Sequence, residues 1–119
     1  MASSAKITLR ALLADLGVPV EMVNTFTADP LYAKYSYLQQ TTADTAQILN
    51  MGGVTTADCI IIIARDNAMS IDTSYVSAFS AEILLTEGQF TVFKPAGVVY
   101  IKNTTGAEKC TFDYLVIGD

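Results

Sequence analysis

Apolar and polar residues alternate along much of this chain, most clearly in its last third. Two alternating segments flank a Glu87-Gly88 turn, and their apolar positions are Ala81, Ile83, Leu85, Phe90 and Val92. A further segment repeats apolar or thiol side chains at every second residue: Cys110, Phe112, Tyr114 and Val116. A repeat of two residues is typical of half-buried β-strands, and glycine favours tight turns. The pattern predicts a hairpin over residues 81–94 and a long strand over residues 109–117.

The centre of the chain carries an uninterrupted apolar run of β-branched residues, Ile60 to Ile63. The run is too short for a helix of typical length and is apolar on both faces, which predicts a buried core strand. Asp58 and Arg65 flank it with charge, as is common beside aggregation-prone strands. Residues 45–51 fit either a strand or one helical turn. Further extended segments are predicted over residues 20–28, 31–42, 69–73 and 98–103.

The first segment fits two different structures. Leucines at helical spacing, with serines before them and Gly17 after them, favour an amphipathic helix over residues 3–17. Residues 6–10 also alternate apolar with polar, and Ile7 and Thr8 are β-branched, which favours an opening strand instead. Both the helix and the strand are retained as predictions.

These segments together predict an all-β protein. About seven or eight strands at spacings of about 8 to 15 residues are typical of a β-sandwich or a barrel, and not of parallel βαβ units. We therefore expect residues 1–119 to form a single domain, an antiparallel β-sandwich or jelly-roll-like barrel, with a short N-terminal helix if the first segment is helical. No internal repeat or linker divides the chain.

Composition and charge narrow the functional classes. Hydrophobic residues make up 51% of the chain and charged residues only 16%, so part of the exterior is expected to be covered by partner protein, either copies of the same chain or a larger assembly. A net charge of -5 with scattered lysines and arginines argues against nucleic-acid or anionic-membrane partners. The longest strongly apolar run, residues 59–64, is too short to span a membrane as a helix.

Little in the sequence indicates chemistry. The chain has no histidine, so nucleophilic catalysis of the usual Ser-His or Cys-His kind lacks its base. Cys59 and Cys110 do not have metal-ligand spacing, and we expect two buried thiols that act as small apolar residues, with a disulfide as the alternative. The acidic residues follow no catalytic or calcium-binding motif. We expect no enzyme activity, no metal and no cofactor.

Exposed aromatic residues are the remaining candidates for a site. Tyr32, Tyr35 and Tyr37 lie close together in sequence and are expected either to pack in the core or against a neighbouring subunit, or to form a face for a sugar or protein ligand. Three further residues are expected in an interface or in the core, between which the sequence does not decide: Phe93, Val98 and Tyr100.

The strands from Ala81 to Asp119, which include the segments YIKN and YLVIGD, resemble the C-terminal strands of small structural proteins of tailed bacteriophage particles. The resemblance covers about a third of the chain. It implies a capsid decoration or cement protein, an adaptor or a fibre part, which forms a homo-oligomer and contacts the major capsid protein or another virion protein. It also implies assembly in the host cytoplasm and residence in the virion. No catalytic residue comes with the resemblance.

Overall fold

The computed structural model describes residues 5–13, 20–28 and 34–119, with side-chain surroundings for Thr8 and for residues 35–119. In these residues the protein contains β-strands and no helix. The strands are β1 Ala5–Leu13, β2 Val20–Ala28, β3 Lys34–Thr41, β4 Gln47–Ile48, β5 Ala57–Ala64, β6 Met69–Tyr75, β7 Ile83–Leu85, β8 Phe90–Phe93, β9 Val98–Asn103 and β10 Thr111–Gly118.

Eight strands form two four-stranded antiparallel sheets. The first sheet has the order β3-β10-β5-β8, and the second has the order β4-β9-β6-β7. The pairings are nested around the connection from β6 to β7: β6 pairs with β7, β5 with β8, β4 with β9 and β3 with β10. A ribbon folded in this way and wrapped into two sheets is a jelly roll. The predicted β-sandwich is therefore confirmed, in its jelly-roll form.

The hairpin predicted over residues 81–94 is wrong. Both of its strands exist, but β7 pairs with β6 in the second sheet and β8 pairs with β5 in the first. The turn at Glu87-Gly88, where Gly88 has a φ of 82°, carries the chain from one sheet to the other. Alternation reveals that a segment is a strand, whereas its partner depends on contacts distant in sequence.

The first segment is a strand, and the predicted N-terminal helix is wrong for residues 5–13. β1 pairs with β2 along its whole length, from Ala5 opposite Ala28 to Leu13 opposite Val20. The two form a separate two-stranded sheet, here called the ribbon. Pairing with β2 satisfies the backbone groups that a helix would have satisfied internally, and the β-branched Ile7 and Thr8 favour it. The remainder of the 3–17 prediction lies outside the described residues.

The main core lies between the two four-stranded sheets. Its largest side chains are fully enclosed and come from β5, β6, β9 and β10: Ile60, Ile62, Met69, Ile71, Ile101, Phe112, Tyr114 and Val116. Burying one such side chain stabilises the fold by about 1.5–3 kcal/mol. The Tyr114 hydroxyl donates a hydrogen bond to the carbonyl of Asn50, and burial raises the pKa of Tyr114 to about 12. The predicted single face of residues 110, 112, 114 and 116 is confirmed.

Both cysteines are buried free thiols, as predicted, and the alternative of a disulfide is wrong. Cys110 belongs to the main core, whereas Cys59 belongs to a separate cluster with Ile117. Burial raises the pKa of both thiols, so they stay protonated and weakly reactive.

Candidate functional site: the outer face of the first sheet

The side of the first sheet turned away from the second sheet is here called the outer face. Strand pairing arranges its residues in three rows across the sheet, because directly opposite residues of antiparallel strands lie on the same side. The rows are Tyr35, Ile117 and Cys59; then Tyr37, Leu115, Ile61 and Val92; then Gln39, Asp113, Ile63 and Phe90.

The middle of the outer face is apolar. Cys59 and Ile117 are buried, and three partly buried side chains pack against them: Ile61, Val92 and Leu115. The isoleucine run of β5 explains this arrangement, because Ile60 and Ile62 enter the main core and the residues between them lie on the other side. In β10, likewise, Tyr114 and Val116 enter the main core, and Leu115 and Ile117 lie on the outer face. A solvated face would carry polar residues at these positions, so the middle of the outer face forms a second, smaller apolar cluster beside the main core.

Exposed aromatic rings stand at both edges of the outer face. Tyr35 and Tyr37 on the edge strand β3 are 74% and 66% exposed, and Phe90 on the opposite edge strand β8 is 60% exposed. Large aromatic side chains contribute much contact area for little loss of rotamer freedom when a partner covers them. These three rings are therefore the parts of the outer face that a partner would bury most.

A polar network closes one end of the outer face. The Arg65 Nε–H donates to Asp113 Oδ2 over 2.6 Å, and the Gln39 amide donates to Asp113 Oδ1 over 2.9 Å. The Arg65 guanidinium, followed by Gln39, lowers the pKa of Asp113. Asp113, followed by the Tyr37 hydroxyl, raises the pKa of Arg65. Because the two charges compensate each other, covering this end leaves no unpaired charge.

The structure separates the predicted site residues. Tyr35 and Tyr37 lie on the outer face, while Tyr32 lies outside the described residues. Phe93 lies on the inner side of β8, where it packs against the main core. Val98 and Tyr100 lie on β9 of the second sheet.

The environments of the two β9 residues differ. Tyr100 stacks on Tyr75 with ring centroids 3.6 Å apart, and Val98 is 49% exposed. The six predicted residues therefore do not form one site. The apolar residues at the middle of the outer face were missed, although the apolar composition of both faces of β5 was a signal for them.

Two acidic side chains outside the outer face, Asp72 and Glu82, stabilise the fold through hydrogen bonds. Asp72 is buried, and its two carboxylate oxygens accept hydrogen bonds from the amides of Ser74 and Ser80. Glu82 lies beside it and accepts hydrogen bonds from the hydroxyls of Thr73 and Ser74. All four oxygens are thus engaged in holding the connection between β6 and β7. Within the described residues, no group of three or more acidic or cysteine side chains is placed to hold a metal ion.

Asn103 also stabilises a connection between strands through hydrogen bonds, and it lies beside an open pocket of about 830 Å³ on the second sheet. Its buried side-chain amide donates to Asp44 Oδ1 over 2.7 Å and to the Thr105 carbonyl over 2.9 Å. The Ala107 amide also donates to Asp44, and the Asn103 hydrogen bond, followed by that of Ala107, lowers the pKa of Asp44. These polar groups hold the loop between β9 and β10 in place.

Comparison with known proteins gave no match to a family model, a curated protein or a solved structure. In the part of the chain that the structure describes, no helix has the length and apolar character needed to cross a membrane.

Proposed function

We propose that the protein is a non-enzymatic structural subunit of a viral particle, a capsid decoration or cement protein that forms a homo-oligomer through the outer face of the first sheet. The observation that carries the proposal is the outer face itself: an apolar centre, exposed aromatic rings at both edges and a neutral polar network at one end. In the particle, the oligomer contacts the major capsid protein or another virion protein.

The physical basis of this function is the burial of apolar surface between subunits. Association of such surfaces releases ordered water and contributes about 25 cal/mol for each Å² removed from solvent. The low charged fraction of 16% supports the proposal, since few charges have to be desolvated when subunits meet. β3 and β8 are edge strands of the first sheet and offer unpaired backbone groups beside the same surface.

Two weaker considerations favour a virion role. Jelly rolls are a frequent architecture of viral capsid proteins, and the sequence from residue 81 onward has the character expected of phage structural proteins, although no known protein matches the chain. Both are likenesses of fold and sequence character, which are weaker support than the outer face.

Charge substitutions at the exposed rings test the proposal. We expect the wild-type protein to form a closed oligomer in size-exclusion chromatography with light scattering. Tyr37→Asp and Phe90→Asp should each weaken association at least about 30-fold, the effect of losing an aromatic hot spot. The matched control is Leu84→Asp on the second sheet, where Leu84 is equally exposed at 60%. A monomeric wild type, or equal dissociation by the control, would contradict the proposal.

A second function is favoured by the spacing of Tyr35 and Tyr37. These tyrosines stand two residues apart on the same edge of the outer face and are well exposed, an arrangement that also suits stacking on a sugar of a host receptor. Jelly rolls are common among lectins as well. A glycan array decides between the two: binding that disappears in the double variant Tyr35→Ala, Tyr37→Ala, by a protein that remains monomeric, would favour the carbohydrate-binding function.

A further inference from the structure

The open pocket of about 830 Å³ on the second sheet is built from several separate segments of the chain. Ser70 on β6 stands directly opposite Lys102 on β9, so both residues lie on the same side of the sheet. Two connections supply further lining: Phe79 lies between β6 and β7, and Asp44 lies between β3 and β4. The packing of the whole sheet therefore holds the pocket in shape, and its volume is within the range of small-ligand sites.

Polar groups of this pocket lack partners within the described residues. The half-buried Lys102 forms no ion pair and no side-chain hydrogen bond with any of them. The hydroxyl of Ser70, a residue only 9% exposed, also has no hydrogen-bond partner among them. Asp44 accepts hydrogen bonds through Oδ1, whereas its Oδ2 accepts none from the same part of the chain. Buried polar groups are usually paired, so unpaired groups that line a pocket indicate a ligand.

Asn103 supplies an independent indication of a ligand. The residue lines the pocket and is 4% exposed, and its Oδ1 is the one enclosed side-chain oxygen or nitrogen without a partner in the described part of the chain. The orientation of the amide is fixed, because Nδ2 donates to the Asp44 carboxylate and to the Thr105 carbonyl, which are acceptors only. Oδ1 therefore requires a donor such as a hydroxyl group.

Phe79 gives the pocket an apolar wall. Its side chain is half-buried, yet it belongs to neither of the two apolar clusters formed by the described residues. An aromatic ring beside several hydrogen-bonding groups suits a ligand that has one apolar surface and several polar atoms.

We propose that this pocket binds a carbohydrate, with a sugar ring packed on Phe79 and its hydroxyl groups held by the polar lining. The C–H face of a sugar ring is apolar, and each sugar hydroxyl both donates and accepts hydrogen bonds. Lys102 donates to sugar oxygens, Asp44 accepts from hydroxyls, and Ser70 does both. The pocket lies on the second sheet, away from the outer face, so this inference goes beyond the proposed self-association and does not depend on it.

Charge favours a neutral sugar over an anionic ligand. Lys102 and Asp44 line the same pocket with opposite charges, and the two compensate each other. A phosphate or carboxylate attracted by the ammonium of Lys102 is also repelled by the carboxylate of Asp44. A neutral hydroxyl-rich ligand uses both groups without bringing an additional charge that has to be desolvated.

A glycan array and an NMR titration test the proposal on the full-length protein. The array identifies bound glycans, and glucose, galactose, mannose and N-acetylglucosamine are each titrated into isotope-labelled protein to about 50 mM, which nearly saturates a millimolar site. We expect at least one sugar to shift the backbone amides of Ser70 and Lys102 and the side-chain amide of Asn103. The backbone amide of Leu115 on the outer face should stay in place.

Variants with matched controls locate the bound sugar. Phe79→Ala should weaken binding at least about tenfold, because the sugar loses its apolar wall. Lys102→Met, which keeps the aliphatic stem and removes the ammonium group, should also weaken binding about tenfold. The controls are Val76→Ala, in the same connection as Phe79, and Lys94→Met; neither residue lines the pocket, and both variants should bind like the wild type. Circular dichroism checks that every variant is folded.

Three results would overturn the proposal. The first is the absence of binding on the array together with the absence of shifts from all four sugars. The second is a shift of the pocket amides by inorganic phosphate and by no sugar, which would assign an anion site. The third is sugar binding that is lost in the double variant Tyr35→Ala, Tyr37→Ala and kept in Phe79→Ala, which would place the sugar on the outer face.

Discussion

Replacing Gly118 with alanine is expected to destabilise the protein by roughly 3 kcal/mol, the upper range for overpacking. A Cβ atom at this position would lie 1.9 Å from the carbonyl oxygen of Thr56 and 2.9 Å from the Cα of Ala57. Both obstacles are backbone atoms, so no side-chain rotation relieves the clash. The ends of β5 and β10 would have to separate, which weakens the hydrogen bonds between Asp119 and the backbone of residues 55 and 56.

The control for this substitution is Gly53→Ala. A Cβ atom added at Gly53 meets nothing within 4 Å, and its backbone is outside the left-handed region. This variant should be neutral or up to about 1 kcal/mol more stable, because alanine restricts the unfolded chain. Urea unfolding followed by circular dichroism measures both variants. Equal midpoints for Gly118→Ala and Gly53→Ala would show that β5 and β10 do not approach each other as described.

Replacing Asp72 with alanine is expected to cost about 3 kcal/mol of stability at neutral pH. The carboxylate accepts hydrogen bonds from the amides of Ser74 and Ser80 at 3.0 and 2.9 Å, and its residue is only 2% exposed. Hydrogen bonds to a charged group contribute about 1.5–3 kcal/mol each, and the variant leaves two amides without their acceptor. Urea unfolding at pH 7 measures the loss, and Glu87→Ala, which removes an exposed carboxylate, serves as the control.

The effect of the Asp72 substitution should depend on pH in a defined direction. The hydrogen bonds from the amides of Ser80 and Ser74 lower the pKa of Asp72 in the folded protein below the unfolded value of 3.8. The stabilisation is therefore fully present above about pH 4 and is lost as the pH falls through the folded pKa. The stability difference between wild type and Asp72→Ala should shrink in acid. A difference that is constant from pH 7 to pH 2 would contradict the assignment of charged hydrogen bonds to Asp72.

The positions of the strands could be predicted from the sequence more successfully than the pairing between strands. The isoleucine run of β5 and the alternation of β10 identify core strands correctly, because burial on a pleated sheet imposes a two-residue repeat. The predicted hairpin over residues 81–94 failed because each strand finds its partner in a different sheet. For the first segment, the leucine spacing suited a helix and a strand equally, and pairing with β2 decided the outcome.

The outer face was only partly predictable. Tyr35 and Tyr37 were identified as candidates because large aromatic rings at alternate positions are conspicuous. Leu115 and Ile117 were not identified. From the sequence, an apolar residue that alternates with core residues can equally belong to the core or lie on the opposite side of the sheet. Phe93 and Tyr100 were predicted to lie either in an interface or in the core, because the sequence does not separate the two. Phe93 packs against the main core, and Tyr100 stacks on Tyr75.

The nested strand pairing of the jelly roll also affects how quickly the eight-stranded part of the chain folds. β3 and β10 are neighbours in the first sheet, yet Lys34 and its partner Gly118 stand at opposite ends of the eight-stranded part of the chain. Contacts between such distant segments slow folding, and this strand pair can form only after the ribosome has released nearly all of the intervening residues. Tyr35 and Tyr37 thus reach their places on the sheet late. Completion of the first sheet therefore waits for the synthesis of β10, even though β3 is made first among its strands.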